Sequence, residues 1–208
     1  MLNALVEASR PSRANFHLAI LSLTNAVIIA GLYYSQSILA VLWAEYAGNS
    51  AVALVPAAAL AGYGVGVLGL TFLRSQVIAR ATMISHLALL IIALCSAASA
   101  RDLTSLIVSH FLLGIGATFV VRTTALTTWI VPMHQRVLAL GIAVAGGLTG
   151  LAAARAGAEA LSEALGGWRM SYLVGAAAMM FLGAASIRLV SFITEPAQRE
   201  PDRLSILW

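Results

Sequence analysis

Six long runs of apolar residues, separated by short polar turns, make up most of the chain. They cover about 18–43, 51–73, 76–98, 104–131, 137–162 and 170–193. A bilayer core about 30 Å thick needs about 20 apolar residues in a helix, and a chain in lipid must satisfy its backbone polar groups internally. The pattern therefore predicts an all-α integral membrane protein with six transmembrane helices.

The connections between the runs are short and carry turn-forming residues, such as Gly48-Asn49-Ser50 and Gly166-Gly167. None is long enough for a second, soluble domain. We therefore expect a cytoplasmic N-terminal segment over 1–16, a six-helix transmembrane domain over 17–193 and a cytoplasmic C-terminal tail over 194–208. The first run is too long for the apolar part of a secretory signal, so we expect it to be retained as a span.

Charge is scarce and follows a topological pattern. Only 10% of the residues are charged, whereas about 25% is usual in a soluble domain. All twelve basic residues are Arg, and they are scattered singly, which argues against a nucleic-acid surface. With the N-terminus in the cytoplasm, only Arg101 and Arg169 fall outside, and the inner side receives Arg10, Arg13, Arg74, Arg80, Arg136, Arg188, Arg199 and Arg203. Positive charge is retained inside, so both termini are predicted to be cytoplasmic.

Small residues recur four apart in two of the runs. Gly62 and Gly66 lie in the second run, and Gly146 and Gly150 lie in the fifth. This spacing lets helix backbones approach closely where lipid offers no hydrophobic gain, so we interpret both pairs as helix contact faces. The single cysteine, Cys95, is expected to be a small buried residue.

Arg122, within the fourth run, is the first candidate for function because intramembrane charge is expensive. At 100° per residue, Arg122, Leu126 and Trp129 share a helix face. One interpretation is a cation that awaits an anionic or polar substrate. The other is a structural Arg paired with carbonyls and neighbouring Thr hydroxyls.

Arg155, in the fifth run, lies four residues before Glu159 and can pair with it along the helix. The interpretations are a structural ion pair near the outer end, which we favour, and a contact across an interface with a second protein. His86 and His110 lie in the third and fourth runs, where a packing or hydrogen-bonding role is favoured over proton relay.

A polar stripe runs along the first helix. Its members fall within about 80° on a helical wheel and are Ser22, Asn25, Ile29, Tyr33 and Gln36. We favour a stripe that faces a cavity, with Asn25, Tyr33 and Gln36 as substrate-binding residues, over one that only forms interhelical hydrogen bonds.

No nucleophile–base arrangement and no metal-ligand spacing occurs in the sequence, so we expect neither an enzyme nor a metal or other cofactor. No Asp or Glu lies in the middle of a run, which weakens the case for proton-coupled antiport.

Four stretches of the sequence together resemble the N-terminal half of major facilitator superfamily transporters, in particular bacterial drug and sugar exporters. They are "GLYYSQSIL" (31–39), "VPMHQRVLALG" (131–141), "GGLTGLAAARAGAEAL" (146–161) and the Gly-Gly-Trp-Arg turn (166–169) before the sixth run. The resemblance implies a bundle like one transporter half, with the first and fourth helices lining a central cavity. It also implies that Trp168 lies at the membrane interface, with Arg169 bonded to lipid phosphate or to carbonyls that end the fifth helix.

The chain departs from this family in two ways. The family's loop between its second and third helices carries a Gly-x-x-x-Asp-x-x-x-Arg-Arg pattern, but here "LRSQVIARA" (73–81) has Ser75 in the place of the Asp and keeps only Arg80 of the basic group. Members also normally have twelve helices, in two parallel halves with the substrate between them.

A second identical chain can supply the missing half, because six spans orient every copy alike and two-fold dimers are the commonest closed assembly. The sequence therefore predicts a homodimeric half-size transporter of the bacterial inner membrane that moves a small polar or anionic solute. The alternative is a non-transporting six-helix subunit or scaffold of a larger membrane complex.

Overall fold

The computed structural model describes residues 13–72 and 80–198, and this part of the chain is helical and contains no strand. Six of its helical segments are long and apolar enough to cross a membrane. The α-helices are α1 (Arg13–Ser37), α2 (Leu39–Glu45), α3 (Leu54–Phe72), α4 (Arg80–Ser99), α5 (Leu103–Ala117), α6 (Phe119–Thr127), α7 (Arg136–Ala164) and α8 (Trp168–Gln198). The expectation of an all-α protein with six candidate spans is confirmed.

Two of the six apolar runs are interrupted in the folded chain. The first run is split at Ile38, which separates α1 from the short α2. The fourth run is split at Thr118, whose hydroxyl turns back to the carbonyl of Ile115 at 2.6 Å.

Helix α1 is at the centre of the bundle. It packs most extensively against α7 and also contacts α8, α6 and α3, while α5 packs against α3 and α4. The large buried side chains include Leu21, Ile28 and Phe119, and they belong to one hydrophobic core. Helix α7 therefore packs directly on α1, whereas α3 packs mainly on α5 and has a smaller contact with α1.

Glycine and alanine make the closest helix contacts. The buried residues of α7 form one stripe of small side chains, namely Ala139, Ala143, Gly146, Gly150, Ala154, Ala158 and Ser162. A methyl group at Gly146 or Gly150 would overlap the α1 carbonyls of Ser22 and Ala26. Gly62 approaches the carbonyl of Phe111 in the same way. The predicted contact faces thus lie between helices of one chain.

The two Arg residues that the sequence assigned to the outer side lie close together. The Arg169 side chain reaches the carbonyl of Ala100, beside Arg101, so the two Arg residues assigned to the outer side share one end. Arg10, Arg74, Ser75, Arg199 and Arg203, together with most of the terminal segments, lie outside the described residues. Cys95 is exposed on α4, so the expectation of a buried cysteine is wrong.

Candidate functional site

An open groove between α3 and α7 is the strongest candidate for a binding site. Its floor is formed by α1 and α6, and its volume is about 420 Å³. The lining includes Asn25 and Tyr33 of the predicted stripe, together with Tyr63 and Thr124, and the rest is apolar. On the α7 rim, Val144 and Leu148 are 50% and 61% exposed. We call this feature the groove.

Asn25 ties the floor of the groove together. Its Nδ2 donates to Thr124 Oγ1 at 2.9 Å and to the carbonyl of Ala143 at 3.2 Å. Its Oδ1 accepts a hydrogen bond from Thr123 Oγ1. The amide therefore links α1 to α6 and α7, and both of its polar atoms are already engaged with the protein. Asn25 positions Thr124, which lines the groove beside it.

Tyr33 and Tyr63 supply the polar groups of the groove that remain available. They belong to α1 and α3, are half-buried and line the same groove. Within the described part of the chain, neither hydroxyl forms a hydrogen bond with another residue. A phenol group can both donate and accept, so the pair can bind a polar solute.

Three of the five predicted substrate-binding residues, Gln36, Trp129 and Arg122, are outside the groove. Gln36 is half-buried on α1 but does not line it. Trp129 follows the end of α6 at Thr127 and is 61% exposed, whereas Arg122 and Leu126 are fully buried. The shared face predicted for Arg122, Leu126 and Trp129 is therefore wrong, because the helix ends before it reaches Trp129.

Arg122 lies inside the bundle and not in the groove. Its side chain is fully buried, and its Nη1 donates to Thr82 Oγ1 of α4 at 2.8 Å. The interpretation of Arg122 as a structural group bonded to Thr hydroxyls is therefore favoured over a substrate-binding cation. Thr82 lies on α4, whereas the threonines that the sequence suggested lie close to Arg122 along the chain.

Arg155 and Glu159 are both exposed on α7. Among the described residues, the ion pair observed is between Arg169 and Glu45, so the predicted pair along α7 does not form. Gly146 and Gly150, which we grouped with them as interface candidates, contact α1 of the same chain. Of this group, Arg155 and Glu159 alone remain accessible to a second protein.

The two membrane histidines bond to their own helices. His86 contacts the carbonyl of Thr82 at 2.8 Å, and His110 Nδ1 contacts the carbonyl of Leu106 at 2.8 Å. Because a carbonyl only accepts, Nδ1 carries a proton in each ring. In His110 the other nitrogen, Nε2, lies 2.8 Å from the Tyr172 hydroxyl. Both histidines thus have the hydrogen-bonding role that the sequence favoured.

A polar cluster joins three segments at the end of the bundle that the Arg pattern assigns to the outside. Arg169 Nη2 lies 2.7 Å from Glu45 Oε1 and also donates to the carbonyl of Ala100 at 3.1 Å. Trp168 Nε1 donates to Glu45 Oε2 at 2.6 Å, and the guanidinium of Arg169 lies 4.3 Å from the centroid of the indole ring. We call these residues the end cluster.

The end cluster corrects the expectation for the Gly-Gly-Trp-Arg turn. Trp168 is 4% exposed and its ring packs edge-on against Tyr172, so it is part of the core. Arg169 is bonded to Glu45 and to the end of α4, and not to carbonyls of α7. Gly166 and Gly167 both adopt positive φ, which permits the tight reversal that brings Trp168 and Arg169 back towards Glu45.

Two carboxylates at this end have altered pKa values. Partial burial alone would raise the pKa of Glu45, but hydrogen bonds from Arg169 and Trp168 and the charge of Arg169 outweigh it, and the pKa is lowered. Asp102 caps α5, where its carboxylate accepts from the Ser105 backbone N–H at 2.8 Å. That bond, followed by one from the Ser105 side chain, lowers the pKa of Asp102. Both groups therefore remain charged at neutral pH.

Tyr63 and Thr124 are the groove residues that the sequence did not single out. Thr124 lies two residues after Arg122, and the helical wheel centred on Arg122 directed attention to the opposite side of the helix.

In the described ranges, no three His, Cys, Asp or Glu side chains are placed to bind a metal ion. Comparison with known protein families, curated proteins and solved structures finds no match for this chain.

Proposed function

We propose that the protein is a half-size carrier, similar to one half of a major facilitator transporter, which works as a homodimer in the bacterial inner membrane. In the dimer, the grooves of two chains face each other and enclose the solute pathway. The proposal rests on the motif resemblance for the family and on the groove for the site.

The observation that supports it best is the pair of Tyr33 and Tyr63 hydroxyls in an open groove. Polar side chains inside the membrane usually face a bundle interior or a water-filled cavity, because lipid chains offer no hydrogen bonds. A single chain exposes these two groups at the outside of its bundle. A second copy placed over the groove would turn that surface into an enclosed, partly polar pathway.

The lining of the groove favours an uncharged polar solute over an anion. The residues around it supply phenol and hydroxyl groups among apolar side chains, and Arg122 is not one of them. An anion would leave its charge uncompensated in a low-dielectric site, which is costly. We therefore propose a polyol or sugar-like solute.

A non-transporting membrane subunit is the second candidate. It is favoured by the lack of any charged side chain among the groove residues, since coupling to a proton or ion gradient needs a titratable or charged group. In this case a different protein would occupy the groove.

Flux into proteoliposomes tests the proposal. In a light-scattering swelling assay, vesicles containing the protein should admit glycerol and glucose faster than protein-free vesicles. Replacement of both Tyr33 and Tyr63 by Phe should slow entry by about fivefold or more, because two hydrogen bonds are lost and each contributes about 0.5–1.5 kcal/mol. Arg122→Gln is the control, and folded Arg122→Gln protein should retain the flux.

Two results would contradict the carrier. One is wild-type flux equal to that of protein-free vesicles, which would favour the scaffold role. The other is flux that depends on Arg122 and not on the two tyrosines, which would return the site to the fourth span and restore an anionic solute such as lactate as the candidate.

A further inference from the structure

A second groove lies between the first and last helices, towards the end of the bundle opposite the end cluster. Its walls come from α1 and α8 alone, and its volume is about 350 Å³. The walls are open to the outside, because Phe16 on α1 and Phe181 on α8 are 63% and 78% exposed. None of the residues that line it belongs to the groove between α3 and α7. We call this feature the α1–α8 seam.

The seam carries its basic groups where the helices leave the bilayer. Of the nine residues that line it, seven are apolar and the other two are His17 on α1 and Arg188 on α8. His17 is the fourth residue of the candidate span Ala14–Ser37, and Arg188 is the next to last residue of the candidate span Trp168–Leu189. Basic side chains near the ends of spans extend to the lipid headgroups, so both groups lie at the level of the headgroup phosphates.

The basic side chains of the seam remain available to a ligand. Arg188 is exposed and His17 is half-buried, and within the described residues neither forms a hydrogen bond or an ion pair with another side chain. Among the described residues that line the seam, none is acidic. A guanidinium presents its N–H donors in a planar fork that matches a phosphate, and an imidazole nitrogen can donate beside it. This end of the seam is therefore suited to bind an anion.

The apolar wall extends from these basic groups towards the middle of the bilayer. Met180, which is 52% exposed, precedes Arg188 by about two helical turns, or about 12 Å along α8. Beside the seam, a hydrogen bond of 3.1 Å between the buried hydroxyls of Thr24 and Ser186 joins α1 to α8. The seam thus combines an anion site with a continuous apolar wall, which matches a phospholipid with its charged head and acyl chains.

We propose that the α1–α8 seam binds an anionic phospholipid of the surrounding bilayer. Its phosphate bonds to Arg188, with His17 beside it, and an acyl chain lies along Met180 and Phe181. An anionic lipid is favoured over a zwitterionic one, because a zwitterionic headgroup brings its own cation and gains less from the charge of Arg188. The Arg pattern assigns this end to the cytoplasm, so the lipid belongs to the cytoplasmic leaflet. The site does not depend on the proposed transport.

Native mass spectrometry of the full chain in a nonionic detergent tests the proposal. The protein is titrated with phosphatidylglycerol or with phosphatidylcholine of the same acyl chains, and the first lipid bound per chain is measured. The wild type should bind phosphatidylglycerol about fivefold more tightly, which is the attraction expected of one basic residue near the membrane surface. Glycerophosphoglycerol, the water-soluble headgroup, should not displace the lipid, since it has no acyl chain to lie on the apolar wall.

Two substitutions that each remove one positive charge form a matched pair. Arg188→Gln should lower the affinity for phosphatidylglycerol about fivefold, to that for phosphatidylcholine. Arg136→Gln should retain the preference, because Arg136 lies outside the seam, at the start of α7. Helix α7 runs parallel to α1, since Gly146 approaches Ser22 and Gly150 approaches Ala26, so Arg136 is at the same end of the bundle. Both Arg residues are exposed, so both variants should fold.

Four results would overturn the proposal. The wild type would bind the two lipids equally, or Arg188→Gln would keep the preference for phosphatidylglycerol. A loss in Arg136→Gln as large as that in Arg188→Gln would show attraction by overall charge and no specific site. Displacement of the lipid by glycerophosphoglycerol would assign the basic groups to a soluble phosphate ester and remove the role of the apolar wall.

Discussion

At the scale of single residues, charged side chains in this protein have two different environments. Arg122 is fully buried and bonded to Thr82, so its guanidinium contributes to the cohesion of the bundle. Arg169 and Glu45 are 38% and 34% exposed, so solvent screens their attraction. Arg122 is therefore a structural part of the interior, whereas we expect the Glu45–Arg169 pair to respond to pH and salt.

The Glu45–Arg169 pair predicts a specific pH dependence of stability. The folded-state pKa of Glu45 is lowered from its ordinary 4.5. The ion pair with Arg169 therefore stabilises the fold fully at pH values above 4.5, and this stabilisation is lost as the pH falls through the lowered pKa. Glu45→Gln should therefore reduce the stability in detergent by about 0.5–1 kcal/mol at pH 7. The difference should shrink as the pH falls below 4.5 and disappear once the pH is below the lowered pKa of Glu45, as measured by thermal unfolding at each pH.

Two observations would refute this prediction. One is a difference in stability between Glu45→Gln and the wild type that persists at low pH. The other is a difference that 1 M salt does not reduce, since the Debye length at that ionic strength is only about 3 Å and exposed charges are strongly screened. Glu159→Gln, at an exposed and unpaired site on α7, is the matched control and should match the wild type throughout.

At the scale of elements, the contact between α1 and α7 depends on the absence of side chains. Gly150 approaches Ala26 so closely that an added methyl group would overlap the backbone. Gly150→Ala should therefore lower stability by about 1–3 kcal/mol, as overpacking does. Gly141→Ala, on the same helix with open space around it, should be neutral or slightly stabilising. Thermal unfolding of the two variants provides the comparison, and equal melting temperatures would contradict it.

The six candidate spans could be predicted from the sequence because bilayer thickness fixes the length and polarity of any helix that crosses it. The contact role of Gly146 and Gly150 also follows from their spacing. The helix breaks at Ile38 and Thr118 could not be predicted, since neither position is a proline or a glycine. A helical wheel presumes an unbroken helix, so it failed for Trp129, which lies past the end of α6.

Two of the four polar residues that line the groove could also be predicted from the sequence. Asn25 and Tyr33 lie on the polar stripe of α1, and the middle of that stripe, Asn25, Ile29 and Tyr33, lines the groove. Tyr63 was missed because it is one aromatic residue in an apolar run, and only the fold places it near Tyr33. The sequence left Arg122 open between a substrate-binding cation and a structural group, because the cost of a buried charge does not reveal the direction in which it points.

At the scale of the whole molecule, the groove is the feature that a second chain could cover. It presents the Tyr33 and Tyr63 side chains among apolar residues, beside the exposed Val144 and Leu148 of the α7 rim. We therefore assign the groove to a partner copy and a solute.

The central claim is that two copies meet through their grooves, and native mass spectrometry from nanodiscs tests it most directly. The wild type should appear at twice the 21.7 kDa mass of the chain. Leu148→Trp, which enlarges the exposed groove rim, should shift it to monomer, whereas Phe181→Trp on α8, 78% exposed, should remain dimeric. A wild type that is monomeric at every concentration, or a dimer that Leu148→Trp leaves unchanged, would contradict the account.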